Sequence, residues 1–500
     1  MIHRVRPDDW RLVFGYTGRV VIGFSALYLL PLATSLLAGE WSPAVDFLLG
    51  LGLALLVGIA LLLVGASTAR PAWIHGMVAA AVSWLVVMLL AAIPYILSGH
   101  FLSYLDACFD AMSGFTTTGL ALIQDLDHVS LGLNMWRHVL TFVGGQGVVV
   151  LALAFLVNDP SGGYTLYVGE GKDERLFPSD IHTAKAIWRI SMGYLLVGTA
   201  ALFAAGIAIG QSPAQAFLHG LWMFMSSWST GGFAPMSQNM LYYHSALYET
   251  LTMVFFVLGS LNFALHGAMW SGDRREIRKN LEVSTLAASL AVLVLVACAG
   301  LMRAGVYPDA MALFRKGFYL MVSGHTTTGL MNIYARQFAL EWGDTAILAM
   351  IVAMLIGGSA CSTAGGFKGL RVGLVAKALV RETRRIMAPS SAVIEQPYWY
   401  HGKKILDDAV LRNALMVIVL YTITFAATSL AGTAAGFPFL DAVFEAASVT
   451  GNVGLSIGVT TAAMPAFLKL TDIAVMWMGR LEFMAVIALV GFAAKSLRRK

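Results

Sequence analysis

Charge is scarce in this chain: Asp, Glu, Lys and Arg together make up 12% of its 500 residues, where a soluble globular protein carries about a quarter. With 58% of the residues hydrophobic, water is excluded as the main solvent. Cysteine is nearly missing. Cys108, Cys298 and Cys361 sit in or beside apolar segments without metal-ligand spacing, which argues against a disulfide framework or a zinc site and leaves them as small core residues. Catalytic signatures are missing too. There is no His-Glu-x-x-His, no Gly-x-Ser-x-Gly and no Walker loop, since Gly365-Gly366-Phe367-Lys368 lacks the spacing and the following Ser/Thr. An enzyme is not expected.

What the chain has instead is apolar length. A run of about 20 apolar residues is the unit that crosses a bilayer, and ten spans are expected, over 12–36, 44–66, 72–98, 130–156, 187–210, 246–270, 282–304, 343–365, 410–432 and 468–494. Between them, stretches near 103–118, 213–229, 309–325 and 438–449 are too short to cross and too apolar for solvent, which suits re-entrant helices. The net charge of +5 is segregated by side rather than gathered for nucleic acid. Arg4, Arg6, Arg11, Arg70, Lys172 to Arg189, Arg274 to Lys279, Lys368 to Lys404 and Lys495 to Lys500 all fall on one face. That face is predicted to be cytoplasmic and to hold both termini. The first apolar run is too long for a signal-peptide core and reads as a retained span.

The chain repeats itself. Ser113-Gly114-Phe115-Thr116-Thr117-Thr118-Gly119-Leu120 matches Ser323-Gly324-His325-Thr326-Thr327-Thr328-Gly329-Leu330 at seven of eight positions. Ser226 to Phe233 fits the same frame through Ser229-Thr230-Gly231-Gly232, and Ser448 to Leu455 fits it through Gly451-Asn452-Val453-Gly454. Each copy lies between two long spans. The expected fold is therefore an all-α integral membrane protein of four parallel span, pore-helix, filter-loop, span repeats around one pore, plus an N-terminal two-helix unit. The boundaries are 1–70 for the N-terminal unit, 71–158 for repeat 1, 159–186 for a cytoplasmic loop, 187–272 for repeat 2, 273–366 for repeat 3 with a loop at 356–367, 367–408 for a basic segment and 409–500 for repeat 4.

Non-helical backbone at membrane depth is tolerated only where it is buried in protein or lines a watery cavity. Four such strands on one axis can replace the hydration shell of a potassium ion with carbonyl oxygens. Glycine permits the backbone conformation this needs, and short helices aim the negative ends of their dipoles at the site. The hydroxyls of Thr116, Ser229 and Thr326 are expected at the innermost position, where Gly451 has none, so the ring is chemically unequal. One Thr-Thr-Thr-Gly alone reads as a polar loop; four in register read as a filter.

These segments, with Trp136-Arg137, Gly144-Gly145-Gln146-Gly147, Gly163-Tyr164-Thr165-Leu166-Tyr167 and Asn262-Phe263-Ala264-Leu265-His266, resemble the Trk/Ktr/HKT superfamily of potassium transporters, and the TrkH-type bacterial subunits in particular, over nearly the whole chain. The small, helix-weakening residues of Ile356 to Lys368, among them Gly357, Gly358, Ser359, Gly365 and Gly366, argue for an unwound loop. By resemblance that loop, with Lys368, blocks the path under the filter. Resemblance also sets Arg480 beside it as a restraint and a barrier to cations, the alternative being an ion pair with Glu482 or Asp472.

Glycine at Gly119 implies potassium over sodium. The resemblance further implies K+ as the transported ion with no bound cofactor, a homodimer in the bacterial inner membrane, and a separate TrkA-type cytosolic nucleotide-binding regulatory subunit. The basic segment 368–404, with Arg381, Arg384 and Arg385, is expected to dock that subunit or to contact lipid. A symporter coupled to H+ or Na+ is the rival reading; few carboxylates are expected mid-span for a proton relay.

Overall fold

The computed structural model describes residues 5–67, 72–147, 180–270, 272–389 and 391–497. Arg70, the segment 163–167 and the end of the expected 130–156 span lie outside the described residues. Among the described residues six helices are long and apolar enough to cross a membrane: Pro7–Ala38, Trp41–Val64, Trp73–Leu97, Thr183–Ala208, Leu281–Ala304 and Asp408–Ala434. Their burial sorts them. Trp73–Leu97 is 72% buried and central, whereas Leu281–Ala304, at 11%, and Trp41–Val64 and Asp408–Ala434, both at 22%, are peripheral and turn leucines and valines outward as a lipid-facing surface would. The first two helices pack by near backbone contact. A Cβ on Gly18 would lie 2.9 Å from the Gly58 carbonyl oxygen, the small-residue packing that membrane helices favour.

Two expected spans are each split into two helices at a sharp bend. Over 246–270 the chain forms Ala246–Gly259 and Phe263–Trp270 at 101°, and over 468–494 it forms Ala466–Arg480 and Met484–Leu497 at 112°. The first of these ends at Gly259 with Ser260 as its cap, and Asn262 starts the second by accepting the Ala264 N–H at 2.8 Å. Glu482 and Phe483 stop the other with φ of 49° and 67°, values that non-glycine residues leave a helix to adopt. The helix Gly343–Ile356 ends at Gly357, and helix Gly369–Ile386 follows the loop between them, at the place the sequence indicates. Helix Leu131–Gln146 likewise ends at Gly147.

The four short helices are Tyr104–Phe115, Pro213–Trp228, a run from Ala310 through a π-turn to His325, and Phe439–Gly451. Their starts follow from capping chemistry. Ser103 accepts the Asp106 N–H at 3.2 Å, Ser212 the Gln215 N–H at 3.4 Å and Asp309 the Ala312 N–H at 2.7 Å. Lys469, on helix Ala466–Arg480, ties it to the first short helix through Asp106 at 2.5 Å. A small antiparallel hairpin pairs Pro397–Trp399 with Lys403–Ile405.

Candidate functional site

All four short helices end the same way. The N–H of Thr117, Thr230, Thr327 and Asn452 bonds the carbonyl three residues back, at 3.0 to 3.2 Å, and the N–H of the next residue bonds the carbonyl five back, at 2.8 or 2.9 Å. This is the Schellman helix end, which requires a left-handed residue and usually takes glycine there. Here that residue has φ of 55° at Thr117, 50° at Thr230, 56° at Thr327 and 53° at Asn452. A β-branched residue in this region is an outlier that only its surroundings can hold, and it occurs three times in register.

Two residues on, Gly119, Gly232, Gly329 and Gly454 have φ of 87°, 71°, 77° and 91°. Each is pressed against the next strand. A Cβ on Gly119 would lie 2.6 Å from the Gly231 carbonyl oxygen, and one on Gly232 would lie 2.6 Å from that of Thr328. A Cβ on Gly329 would strike the Val453 carbonyl, and one on Gly454 that of Thr118. The contact is always from the fourth position of one strand to the third of the next, and the order returns to the first strand. Four segments from one chain thus close into a ring in chain order, with no room for a side chain at any of the four glycines.

At the first position, Thr116, Ser229 and Thr326 donate back to the carbonyls of Met112, Met225 and Val322 at 2.7 to 2.8 Å. Their hydrogens cap the helix, and the oxygens of Thr116 and Thr326 each accept from the hydroxyl two residues on, Thr118 and Thr328, at 2.8 Å. Gly451 takes this place in the fourth strand because a Cβ there would lie 2.7 Å from the Met354 carbonyl oxygen. Asn452 Nδ2 instead reaches sideways to Thr118 Oγ1 at 3.0 Å and the Met476 carbonyl at 2.9 Å.

Sequence reasoning passed over two carboxylates that hold the chain after Gly119 and Gly454. Asp110 accepts the Leu122 N–H at 2.5 Å and Glu445 accepts the Ile457 N–H at 3.1 Å. Both carboxylates sit at one register on their short helices, six residues before the strand begins, which is the signal that would have revealed them. Glu445 also takes Ser456 Oγ at 2.8 Å. Arg137, 1% exposed, donates to the Ala234 carbonyl at 3.0 Å and lies over the Phe233 ring at 4.4 Å. Both carboxylates lie on the short helices and not within the long spans.

The loop 357–368 lies against this ring. It closes on itself, with Phe367 N–H on the Leu355 carbonyl at 2.8 Å and Lys368 N–H on that of Ile356 at 3.0 Å, the build of a compact Ω-loop. Gly357 and Gly366, with φ of 73° and 79°, pass each other where a Cβ on Gly366 would lie 2.7 Å from the Gly357 Cα. Lys368 Nζ caps the Ala364 carbonyl. Gly358 N–H bonds the Gly365 carbonyl at 3.3 Å, and Ser359 N–H bonds that of Ser260 at 2.9 Å.

The centre of the loop is Thr363, which the sequence did not single out. Its Oγ1 is 3.1 Å from the Trp228 carbonyl oxygen, 2.8 Å from that of Gly259 and 3.2 Å from Thr230 Oγ1. Thr117 Oγ1 reaches the Thr363 carbonyl at 3.5 Å. Thr327 Oγ1 accepts the Gly365 N–H at 2.7 Å, and Gly365 packs on Gly451, whose carbonyl a Cβ would strike. The loop thus touches all four strands. Three contacts run through the left-handed threonines, which gives those strained residues a task glycine cannot perform.

Arg480 fastens the loop from the other side. It donates to the Thr363 carbonyl at 2.7 Å and to the carbonyls of Gly144 and Gly145 at 2.7 and 2.8 Å, so one guanidinium joins the loop to the end of helix Leu131–Gln146. Glu482, weighed as its partner, accepts from Arg371.

A family model described as TrkH, cation transport protein, matches residues 47–293 and 280–496. An uncharacterized cation transporter of Methanocaldococcus jannaschii is 30% identical over 415 residues, 83% of this chain and 82% of that one. The Trk system potassium uptake protein TrkH of Halomonas elongata is 28% identical over 491 residues, 96% of this chain and 98% of that one. The crystal structure of the potassium transporter TrkH from Vibrio parahaemolyticus matches with a TM-score of 0.81 at 26% identity, covering 97% of this chain and 99% of that one.

Proposed function

This chain belongs to the TrkH family of cation transport proteins, a family of transporters and not of enzymes, and we propose that it is the potassium-selective translocating subunit of a bacterial potassium-uptake system. In this reading ten crossings arrange four parallel repeats around one pore, within the boundaries given above, and Gly119, Gly232, Gly329 and Gly454 with the three residues before each form the filter. The loop 357–368 is the gate and Arg480 its restraint. The observation that carries the reading is the closed ring: four strands of one backbone conformation, each packed on the next, are the arrangement in which carbonyls can replace an ion's water. Glycine at Gly119, by its resemblance to the potassium-selective members of the superfamily, favours K+.

A buried guanidinium under the ring opposes cation passage, so opening requires Arg480 and the loop to move together. The proposed setting is the inner membrane, with both termini cytoplasmic, a homodimeric assembly and a TrkA-type nucleotide-binding regulator acting from the cytosol. Purified protein in potassium-loaded liposomes tests this. Rubidium uptake driven by the K+ gradient, with sodium excluded and reversal at the potassium equilibrium potential, is the expected result. Uptake that stops without a proton or sodium gradient moves the protein to the symporter reading.

A further inference from the structure

An isolated two-stranded hairpin is marginally stable in water, so the order of the hairpin 397–405 has to come from what anchors it. Two hydrogen-bonded routes lead from it, and both end on the loop 357–368. In the first, the Glu276 carboxylate accepts Trp399 Nε1–H, the His401 N–H and Asn280 Nδ2–H, each at 2.8 Å. Asn280 caps helix Leu281–Ala304 by accepting the Glu282 N–H at 2.8 Å. The Glu282 carboxylate, 1% exposed, then takes the Ala360 N–H at 2.5 Å and the Leu370 N–H at 3.2 Å.

In the second route, Tyr400, 5% exposed, accepts Asn262 Nδ2–H on its hydroxyl at 3.2 Å. Asn262 sits in the break between Ala246–Gly259 and Phe263–Trp270, and the next residue, Phe263, gives its N–H to the Cys361 carbonyl at 3.3 Å. The routes meet on consecutive residues, Ala360 by its N–H and Cys361 by its carbonyl, where the chain turns through φ of 49° at Cys361. Two residues further on is Thr363.

Lys403 and Lys404, consecutive on the second strand and so on its two faces, are both exposed and make this end of the hairpin cationic. Lys404 Nζ lies 5.2 Å from the centre of the Tyr400 ring, so a group that draws Lys404 away acts directly on the residue that holds Asn262.

We propose that the hairpin 397–405 is the handle of the gate, gripped through Lys403 and Lys404 by a carboxylate-bearing surface of a cytosolic protein. Pulling it breaks the Tyr400–Asn262 and Glu276 contacts, frees Ala360 and Cys361, and withdraws Thr363 from the ring. Asn262, Tyr400, Glu276 and Glu282 are then positioning residues for the loop. The inference rests on the reading of 357–368 as the gate.

The test uses the full chain in phosphatidylcholine liposomes and measures rubidium flux without any partner. Tyr400→Phe removes one hydrogen bond and keeps the ring, and basal flux is expected to rise about fivefold, what a bond of ordinary strength holds back. Glu276→Gln is expected to raise it by a similar factor. In both, the rubidium-to-sodium permeability ratio and the size-exclusion profile stay as in the wild type. A packing defect that reached the ring would move the ratio, and that result overturns the positioning role.

Arg480→Ala is the control. If it raises flux while Tyr400→Phe and Glu276→Gln leave it at the wild-type level, the handle is wrong and the gate reading stands. If Arg480→Ala has no effect either, the gate reading itself falls. Poly-L-glutamate on the hairpin side is the probe for the partner. It is expected to raise wild-type flux and to have no effect on the Lys403→Glu/Lys404→Glu double variant. No rise in the wild type overturns the carboxylate partner, and so does a rise seen only when phosphatidylglycerol replaces phosphatidylcholine, which assigns the surface to lipid.

Discussion

The first and fourth strands of the ring share only their glycine, yet their backbones coincide. Thr117 and Asn452 have φ of 55° and 53°, and Gly119 and Gly454 have 87° and 91°. Backbone course is therefore set by the Schellman helix end and the glycine, while the remaining side chains answer to what lies beside each strand. Thr117 faces the loop below it through its hydroxyl. Asn452, which tolerates the left-handed region better than threonine, turns to the neighbouring strand instead. The inequality seen in the sequence is one of contacts and not of shape.

The largest expected effect tests the shared part of that comparison. Gly454→Ala places a Cβ on the Thr118 carbonyl at a backbone angle alanine avoids, and rubidium uptake should fall at least about a hundredfold, roughly the factor that 3 kcal/mol of misfit at the site represents. Near-normal uptake would show that the ring does not need its fourth contact. Gly119→Ser meets a gentler clash, 2.6 Å from the Gly231 carbonyl oxygen. It is expected to admit sodium while potassium still passes, read as a falling potassium-to-sodium permeability ratio.

The next two separate the strands. Thr327→Val leaves the Gly365 N–H without its 2.7 Å acceptor, a loss of about 1–3 kcal/mol when the group stays buried, and basal flux should rise by about five- to a hundredfold. The same change of Asn452 leaves no loop contact to lose and should not raise flux. Gly451→Ser restores the hydroxyl that the other strands have, but its Cβ would lie 2.7 Å from the Met354 carbonyl oxygen. A destabilisation of about 1–3 kcal/mol follows, seen as a lower melting temperature. A gain in selectivity with unchanged melting would mean that the missing hydroxyl, and not the missing space, sets this strand apart.

The smallest effect lies outside the ring. Burial raises the Glu276 carboxyl, but hydrogen bonds from the His401 N–H, the Trp399 indole and Asn280 outweigh it and hold the group below its ordinary value. A carboxylate depressed in this way adds stability that is complete above its unfolded pKa and is lost as pH falls through its folded one. Protection factors of the hairpin amides, taken relative to the intrinsic exchange rate at each pH, should be flat from neutral pH to about 4.3 and fall only below that. A fall in protection well above that range would overturn the role of Glu276.

How much of this was legible beforehand depends on whether a residue type reveals its own task. The four strands stood out because Ser, Thr and Gly have no reason to recur in register in an apolar chain, and Ser212-Pro213 and Asp309 mark helix starts by capping chemistry. The unwound loop was visible in its crowd of small residues. The breaks at 260–262 and 481–483 were not, because Leu261, Leu481 and Phe483 keep the apolar run unbroken and left-handed backbone has no signature in hydropathy. Thr363 looked like one more small residue, since its importance lies in three carbonyl and hydroxyl partners from distant segments. Asp110 and Glu445 were hidden by their different identities and by only two of the four helices carrying them.

The order of the strands around the ring follows the order of the chain, and each quarter is encoded once. In a tetramer of identical subunits any substitution in the filter arrives fourfold, and a change that suits one position must suit all. Here a single codon alters a single quarter while three neighbours keep the cage standing. The fourth strand has close packing and a lateral amide where the others have a hydroxyl, and under the proposed reading the remaining strands can be changed one at a time, for ion size or for contact with the loop beneath.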